Sequence, residues 1–120
     1  MSTMTTFHLV MPADMNPDGA LFGGNMLKWV DETAWMAASQ DYPGARFVTI
    51  GMDRVAFKRQ VPCGIILRFD VTRRHEGHTS VAYDVMVTNA SDPADPAPLF
   101  ETEITFVRVS AAGTKLSLHA

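Results

Sequence analysis

Between Asn16 and Gln40 (NPDGALFGGNMLKWVDETAWMAASQ) the apolar residues recur at helical spacing, whereas most of the chain beyond Gly44 alternates as strands do. On a wheel of about 100° per residue, Met26, Leu27, Val30, Thr33, Ala34, Ala37 and Ala38 share one broad face, and Trp29, Trp35 and Met36 carry apolar character to the other side. Asn16-Pro17-Asp18-Gly19 is turn chemistry, Gly23-Gly24 opens the helical run, and Asp41-Tyr42-Pro43-Gly44 stops it. The pattern predicts a loop feeding one long helix. Being apolar nearly all round, that helix is expected to be wrapped by other elements or by another subunit.

The remaining segments read as strands. Thr5 to Val10 is short, β-branched and aromatic, and Pro12 ends it, which predicts an edge-type strand. Arg46 to Phe57 alternates until a shift near Val55, the mark of a bulge. The run that opens at Gly64 and reaches His75 is followed by a Glu76-Gly77 turn and by His78 to Asn89, where Val81, Tyr83, Val85 and Val87 share a face; this predicts an antiparallel hairpin. Ser91 to Pro98 (SDPADPAP) predicts an extended surface loop, and Leu99 to Val109 the last strand. Beyond Ser110 the segment AAGTKLSLHA offers little to pack and is expected to fray. Strand, helix, then four strands define an α+β plan, one long helix covered by one antiparallel sheet, with the first strand beside later ones. Because a single sheet covers only one side of the helix, the leftover Trp29, Trp35 and Met36 predict a homodimer.

Bulk properties narrow the function classes. The 120 residues suit a single domain, residues 1–120, and at 47% hydrophobic with a net charge of −3 the chain offers no broad basic surface for nucleic acid. The opening MSTMTTFHLVMP lacks a basic region followed by an apolar run, and no stretch of eighteen apolar residues occurs, so neither a signal peptide nor a membrane span is expected. The single Cys63, between Pro62 and Gly64, fits a reducing cytoplasm and is expected to be a buried or half-buried thiol. His75 and His78 have no third ligand at metal-site spacing, so no metal is expected.

Asp31 is the residue that does not fit a buried helix. It falls at the edge of the apolar face beside Gly24, Leu27, Ala34 and Ala38, where a carboxylate is costly unless paired or used. Lys28, three residues back, is the ordinary partner for it. The small neighbours leave room for a ligand instead, and Gly23-Gly24 presents free N–H groups at the positive end of the helix dipole, where an oxyanion can sit.

These residues resemble the hotdog-fold acyl-CoA thioesterases, specifically the small bacterial YciA-type enzymes related to the brain acyl-CoA hydrolase. The resemblance spans nearly the whole chain and is strongest from Pro12 through Asn16, Gly19, Phe22-Gly23-Gly24 and Trp29 to Asp31. Weaker echoes are Val48-Thr49, Phe57 with its basic successors, Gly77-His78-Thr79-Ser80, and Ile104-Thr105-Phe106-Val107. Gln60 stands where the family usually has proline, and Ile65 where it usually has an acid, departures that bear on substrate range.

The resemblance implies a hotdog fold, a helix wrapped by an antiparallel sheet of five or more strands, and hydrolysis of acyl-CoA to a free fatty acid and coenzyme A. Thioester hydrolysis needs a base or nucleophile, an oxyanion donor and a grip on coenzyme A. Asp31 is the candidate base or nucleophile, the N–H of Gly23 or Gly24 the oxyanion donor, and Asn16 the group that orients water or the carbonyl. Gly24 and Asp31 lie about 10 Å apart along one helix, so the site is expected to pair Asp31 of one subunit with Asn16 and the glycines of its partner. The resemblance implies the same composite site, in a homodimer that assembles further, as in a trimer of dimers. Candidates for gripping coenzyme A are Lys58, Arg59, Arg73, Arg74 and the Gly77, His78, Thr79, Ser80 hairpin. No cofactor is expected, because coenzyme A belongs to the substrate. Two other readings remain: a hotdog hydratase or dehydratase, which would use a histidine with an acid, and a non-catalytic acyl-CoA-binding module.

Overall fold

The computed structural model describes residues 3–120; Met1 and Ser2, which open the stretch read against a signal peptide, lie outside it. The elements in order are β1 (Thr3–Leu9), a 3₁₀ turn (Pro12–Asp14), α1 (Gly23–Asp41), β2 (Arg46–Phe57), β3 (Ile66–Glu76), β4 (Ser80–Asn89) and β5 (Phe100–Val109). All five strands form one antiparallel sheet in the order β1-β3-β4-β5-β2. The first strand does join later ones, pairing with β3 from Thr3↔Thr72 to Leu9↔Ile66.

Period-two patterning decides which face of this sheet meets the helix. Leu67, Phe69 and Val71 of β3, Val81, Tyr83, Val85 and Val87 of β4, and Phe100, Ile104 and Phe106 of β5 are buried against α1. The alternating positions Arg68, Asp70, Asp84, Glu101 and Glu103 lie on the opposite face of their strands. From the helix come Met26, Trp29, Val30, Ala34, Ala37 and Ala38, mostly small residues that let helix and sheet approach closely. Trp29 was expected to be left over and is not. Its ring stacks on His8 of β1, centroids 3.7 Å apart, so the first strand covers a side of the helix that the wheel left open.

β2 behaves differently from its neighbours. It is an edge strand of twelve residues in which only Phe47 is buried, while Val48, Ile50, Val55 and Phe57 are exposed. Its pairing with β5 slips between Thr49 and Gly51 and again between Asp53 and Ala56, where Arg54 adopts a left-handed φ of 51°. The expected bulge is thus present, as two irregularities, which bend and twist the strand. The radius of gyration, 15.2 Å, exceeds the roughly 13.6 Å typical of a compact chain this long, as an extended apolar edge would make it.

Two further expectations are corrected. The segment after Ser110 does not fray: Gly113, at φ +86°, turns it back, Leu116 N–H donates to the Arg108 carbonyl at 2.9 Å, and Leu118 is buried with its N–H on the His78 carbonyl at 3.0 Å. Arg108 Nη1 clamps the tail through the carbonyls of Leu118 and Ala120 at 3.0 and 3.1 Å. Cys63 is exposed rather than buried, because it sits in a turn in which Gly64, at φ +90°, donates its N–H to the Val10 carbonyl.

Candidate active site

Asp31 lies midway along α1, half-buried, and Thr49 of β2 donates its hydroxyl to Asp31 Oδ1 at 2.7 Å. Lys28 forms no ion pair with it among the described residues, so the ordinary reading of a helical aspartate fails here. The Asp31–Thr49 pair opens onto a cleft of about 460 Å³ between α1 and β2, whose other walls are Glu32, Trp35, Met36 and Phe47. Trp35 Nε1 donates to the Phe47 carbonyl at 3.4 Å and tethers the indole to the strand.

A second cleft, about 340 Å³, holds Asn16 and two of the candidate cations. Asn16 lines it together with Met26, Phe57, Lys58, Arg59 and Gln60. Asn16 Oδ1 accepts the backbone N–H groups of Asp18 (2.9 Å) and Ala20 (3.0 Å), closing the loop around Gly19 at φ +81°. Its Nδ2 has no acceptor in the protomer among the described residues, which leaves that amide free to donate to a ligand. At the start of α1, Phe22 caps the helix without a side-chain bond, and the N–H groups of Gly23 and Gly24 meet no acceptor among the described residues. A Cβ on Gly24 would come within 3.0 Å of the Phe22 ring, and one on Gly23 would touch Phe57 at 3.4 Å. The glycines therefore let two aromatic rings close over the helix start. Seven residues separate Gly24 from Asp31, about 10 Å along the helix, so one protomer keeps the carboxylate and the glycine donors apart.

The cations proposed to grip coenzyme A fall into two groups. Lys58 and Arg59 sit beside Asn16, but Lys58 Nζ lies 3.5 Å from Glu101, and Arg59 is held at 2.7 Å by both Asp95 and the Ala97 carbonyl. That hold on Arg59 keeps the Asp95 carboxyl below its usual range. Arg73, Arg74 and the Gly77-His78-Thr79-Ser80 hairpin belong to the opposite end of α1, roughly 27 Å from Gly23. There Arg73 reaches the Tyr42 hydroxyl at 3.3 Å, Arg74 pairs with Asp84 at 3.0 Å, and the carbonyls of His78 and Thr79 receive the C-terminal tail and β5. In one protomer the two groups cannot serve one ligand together.

Thr49 is the site residue that sequence reasoning missed as a contact. Also unforeseen is a polar cluster at the end of α1: Tyr42 donates to Glu76, His119 Nε2 lies 2.8 Å from Glu76 Oε1, and Tyr83 donates to Asp41 at 2.7 Å. Burial, and then the bond to Glu76, push the Tyr42 hydroxyl up to about 12. The bonds from Tyr42 and His119 hold the Glu76 carboxyl below its ordinary value. No group of three or more His, Cys, Asp or Glu side chains suited to a metal occurs among the described residues.

A model of the thioesterase superfamily matches residues 18–95, nearly two thirds of the chain, and the chain belongs to that superfamily. Its helix and five-stranded antiparallel sheet are the hotdog fold. A hexameric hotdog fold thioesterase of Campylobacter jejuni superposes with a TM-score of 0.82 at 33% identity, over 93% of this chain and 86% of that one. The acyl-CoA hydrolase of Staphylococcus aureus, in complex with butyryl coenzyme A, coenzyme A and coenzyme A disulfide, superposes at 0.82 with 25% identity, over 96% and 68% of the two chains. Mouse acetyl-coenzyme A thioesterase is 34% identical over 80 residues, 65% of this chain and 14% of that much longer protein.

Proposed function

We infer that the chain is an acyl-CoA thioesterase, hydrolysing acyl-CoA to a carboxylate and coenzyme A. The observation that carries this reading is the Asp31–Thr49 pair, a half-buried carboxylate oriented by a hydroxyl at the mouth of an apolar cleft. Asp31 removes a proton from water attacking the thioester carbon, or attacks that carbon itself; the carbonyl oxygen gains charge, the C–S bond breaks and the departing thiolate takes up a proton, and where Asp31 attacked, water then hydrolyses the mixed anhydride to the free carboxylate and regenerated Asp31. Asn16 Nδ2 and the N–H groups of Gly23 and Gly24 are the available donors for the charged oxygen, aided by the helix dipole. The reaction needs no cofactor on this account, coenzyme A being part of the substrate.

The donors come from a second subunit. Antiparallel pairing of β2 with its own copy would satisfy the exposed edge, bury Val48, Ile50, Val55 and Phe57, and place the Thr49 region of one chain near the Phe57 end of the other. The Phe57 ring lies beside Gly23, where a Cβ would meet it, and shares a cleft with Asn16, so this dimer carries the donors toward the partner's carboxylate. A trimer of such dimers has support in the hexameric Campylobacter jejuni relative. Among the described residues no helix is long and apolar enough to cross a membrane, and the exposed free Cys63 fits a reducing cytoplasm.

A hydratase or dehydratase would need a histidine with an acid, and no histidine lines either cleft. The deciding experiment measures thiol release across an acyl-CoA series by the wild type and by Asp31→Asn. Wild-type turnover should fall about 10²–10⁴-fold in the variant, the range for loss of a general base. Near-normal hydrolysis by Asp31→Asn removes Asp31 from the mechanism, and hydration of an enoyl-CoA without thiol release overturns the function.

A further inference from the structure

We propose that Trp35 is the stop at the end of the acyl-binding slot, so that the enzyme selects short to medium acyl chains; this deepens, and rests on, the thioesterase reading above. An exposed tryptophan on a helix is unusual in a folded chain, and this one is 44% exposed beside a Met36 that is also 44% exposed. Neither belongs to the core formed by α1 and the sheet. Both line the cleft that begins at Asp31 and Thr49.

The slot's lining is of two kinds. The Asp31 carboxylate and the Thr49 hydroxyl, where a reacting carbonyl is processed, are polar together with the exposed Glu32; Trp35, Met36 and Phe47 are apolar. A thioester leaves its carbonyl in two directions. The coenzyme A half, amide-rich and anionic, suits the cleft that holds Asn16, Lys58 and Gln60, and the hydrocarbon half suits the apolar lining of the Asp31 cleft. Asp31 and Trp35 are four residues apart, on the same face of α1 and about 6 Å apart along its axis. A staggered hydrocarbon advances roughly 1.3 Å per carbon, so a chain lying along α1 from the level of Asp31 reaches the level of Trp35 within about five carbons.

A stop must also be held. The bond from Trp35 Nε1 to the Phe47 carbonyl ties the indole across the gap between helix and strand, so that longer chains meet a fixed ring rather than a mobile one. Met36, unbranched and adaptable, forms the yielding side of the slot.

The test is kcat/KM, from thiol release, over an acetyl- to palmitoyl-CoA series for wild type, Trp35→Ala and Trp35→Phe, with circular dichroism and gel filtration on each. The wild type should peak at short to medium chains. Trp35→Ala should raise the ratio of lauroyl to butyryl turnover by about tenfold or more, as several methylenes gain contacts they were denied. Trp35→Phe, smaller and without the tether, should shift the optimum less. A profile unchanged, or scaled equally at every length, overturns this inference alone. Absence of thiol release from every substrate by the wild type overturns the thioesterase reading and this inference with it.

A measurement on the unaltered protein keeps the question decidable if both variants misfold. Trp29 is buried, so acrylamide quenching of the intrinsic fluorescence reports mainly on Trp35. A non-hydrolysable hexyl thioether of coenzyme A should protect that fluorescence, and coenzyme A alone should not. Equal effects of the two, or an indole already shielded in the free assembly, overturn the proposal.

Discussion

Asp31 Oδ1 is engaged by the Thr49 hydroxyl at 2.7 Å, which leaves Oδ2 as the oxygen to meet water or the thioester carbon. On the proposed mechanism Thr49 is a positioning residue, fixing the carboxylate's rotation without touching the substrate carbon. A hydrogen bond to a charged group is worth about 1.5–3 kcal/mol, so Thr49→Val should lower kcat by roughly 10- to 150-fold with KM little changed. Thr49→Ser should recover most of the loss, and steady-state thiol release on the three proteins decides it; equal KM and kcat effects would mean that Thr49 supports the strand instead. The carboxylate itself was legible in the sequence, because it stands beside small residues at the edge of the helix's apolar face, although Lys28 offered it an ordinary partner that the structure does not use. Its partner was not. Thr49 lies eighteen residues away on a strand whose crossing of α1 no local pattern specifies, and it is spaced like any other alternating threonine.

The elements at the far end of α1 are joined by contacts of longer sequence range. Leu118, only 2% exposed, fills a site beneath the hairpin, and Leu118→Ala should destabilise the fold by about 2 kcal/mol or more, read as a lower thermal midpoint. Fraying was the wrong expectation for this tail because Leu116 and Leu118 form too short an alternation to register as a strand, while the Arg108 clamp and the Gly113 turn that make it pack act only in three dimensions. The strands with full alternation, β3 to β5, were readable because period two alone identifies their buried face. Tyr42 links helix and hairpin in a way that pH can probe. Its hydroxyl is raised to about 12 by burial and by Glu76, so the folded state retains a proton that the unfolded state loses near pH 10. The stability it contributes is complete below pH 10 and disappears as pH rises toward 12. Thermal midpoints from pH 9 to 12 should therefore fall, and fall less steeply in Tyr42→Phe, with Tyr83, also raised by burial and by Asp41, supplying the remaining slope. Identical slopes in the two proteins would show that Glu76 and burial do not hold the Tyr42 proton.

At the scale of the whole molecule, the apolar surplus of the helix predicted a partner, and the structure refines which surface calls for one. Trp29 is satisfied within the protomer, Trp35 and Met36 line the Asp31 cleft, and the long edge of β2 is the surface left without a partner. The edge was hidden in the sequence, since order within an antiparallel sheet is set by long-range pairing, and β2 reads much like the central strands. What the protomer does show is a separation, with Asp31 in one cleft, Asn16 in another and the glycine amides at the start of α1. Two inactive chains can test whether the clefts meet across a dimer. Asp31→Ala removes the carboxylate. Asn16→Asp keeps the oxygen that accepts the Asp18 and Ala20 amides, so the loop is preserved, yet replaces the free Nδ2 donor by an acceptor. Each homodimer should be nearly inactive. After unfolding and refolding as an equal mixture, half the dimers are mixed, and each contains one site with an intact Asp31 facing an intact Asn16. Activity should recover to about a quarter of the wild-type value on these statistics of two-fold pairing. If mixed dimers form, as native mass spectrometry would show, and no activity returns, then each carboxylate depends on the Asn16 of its own chain and the composite site is wrong.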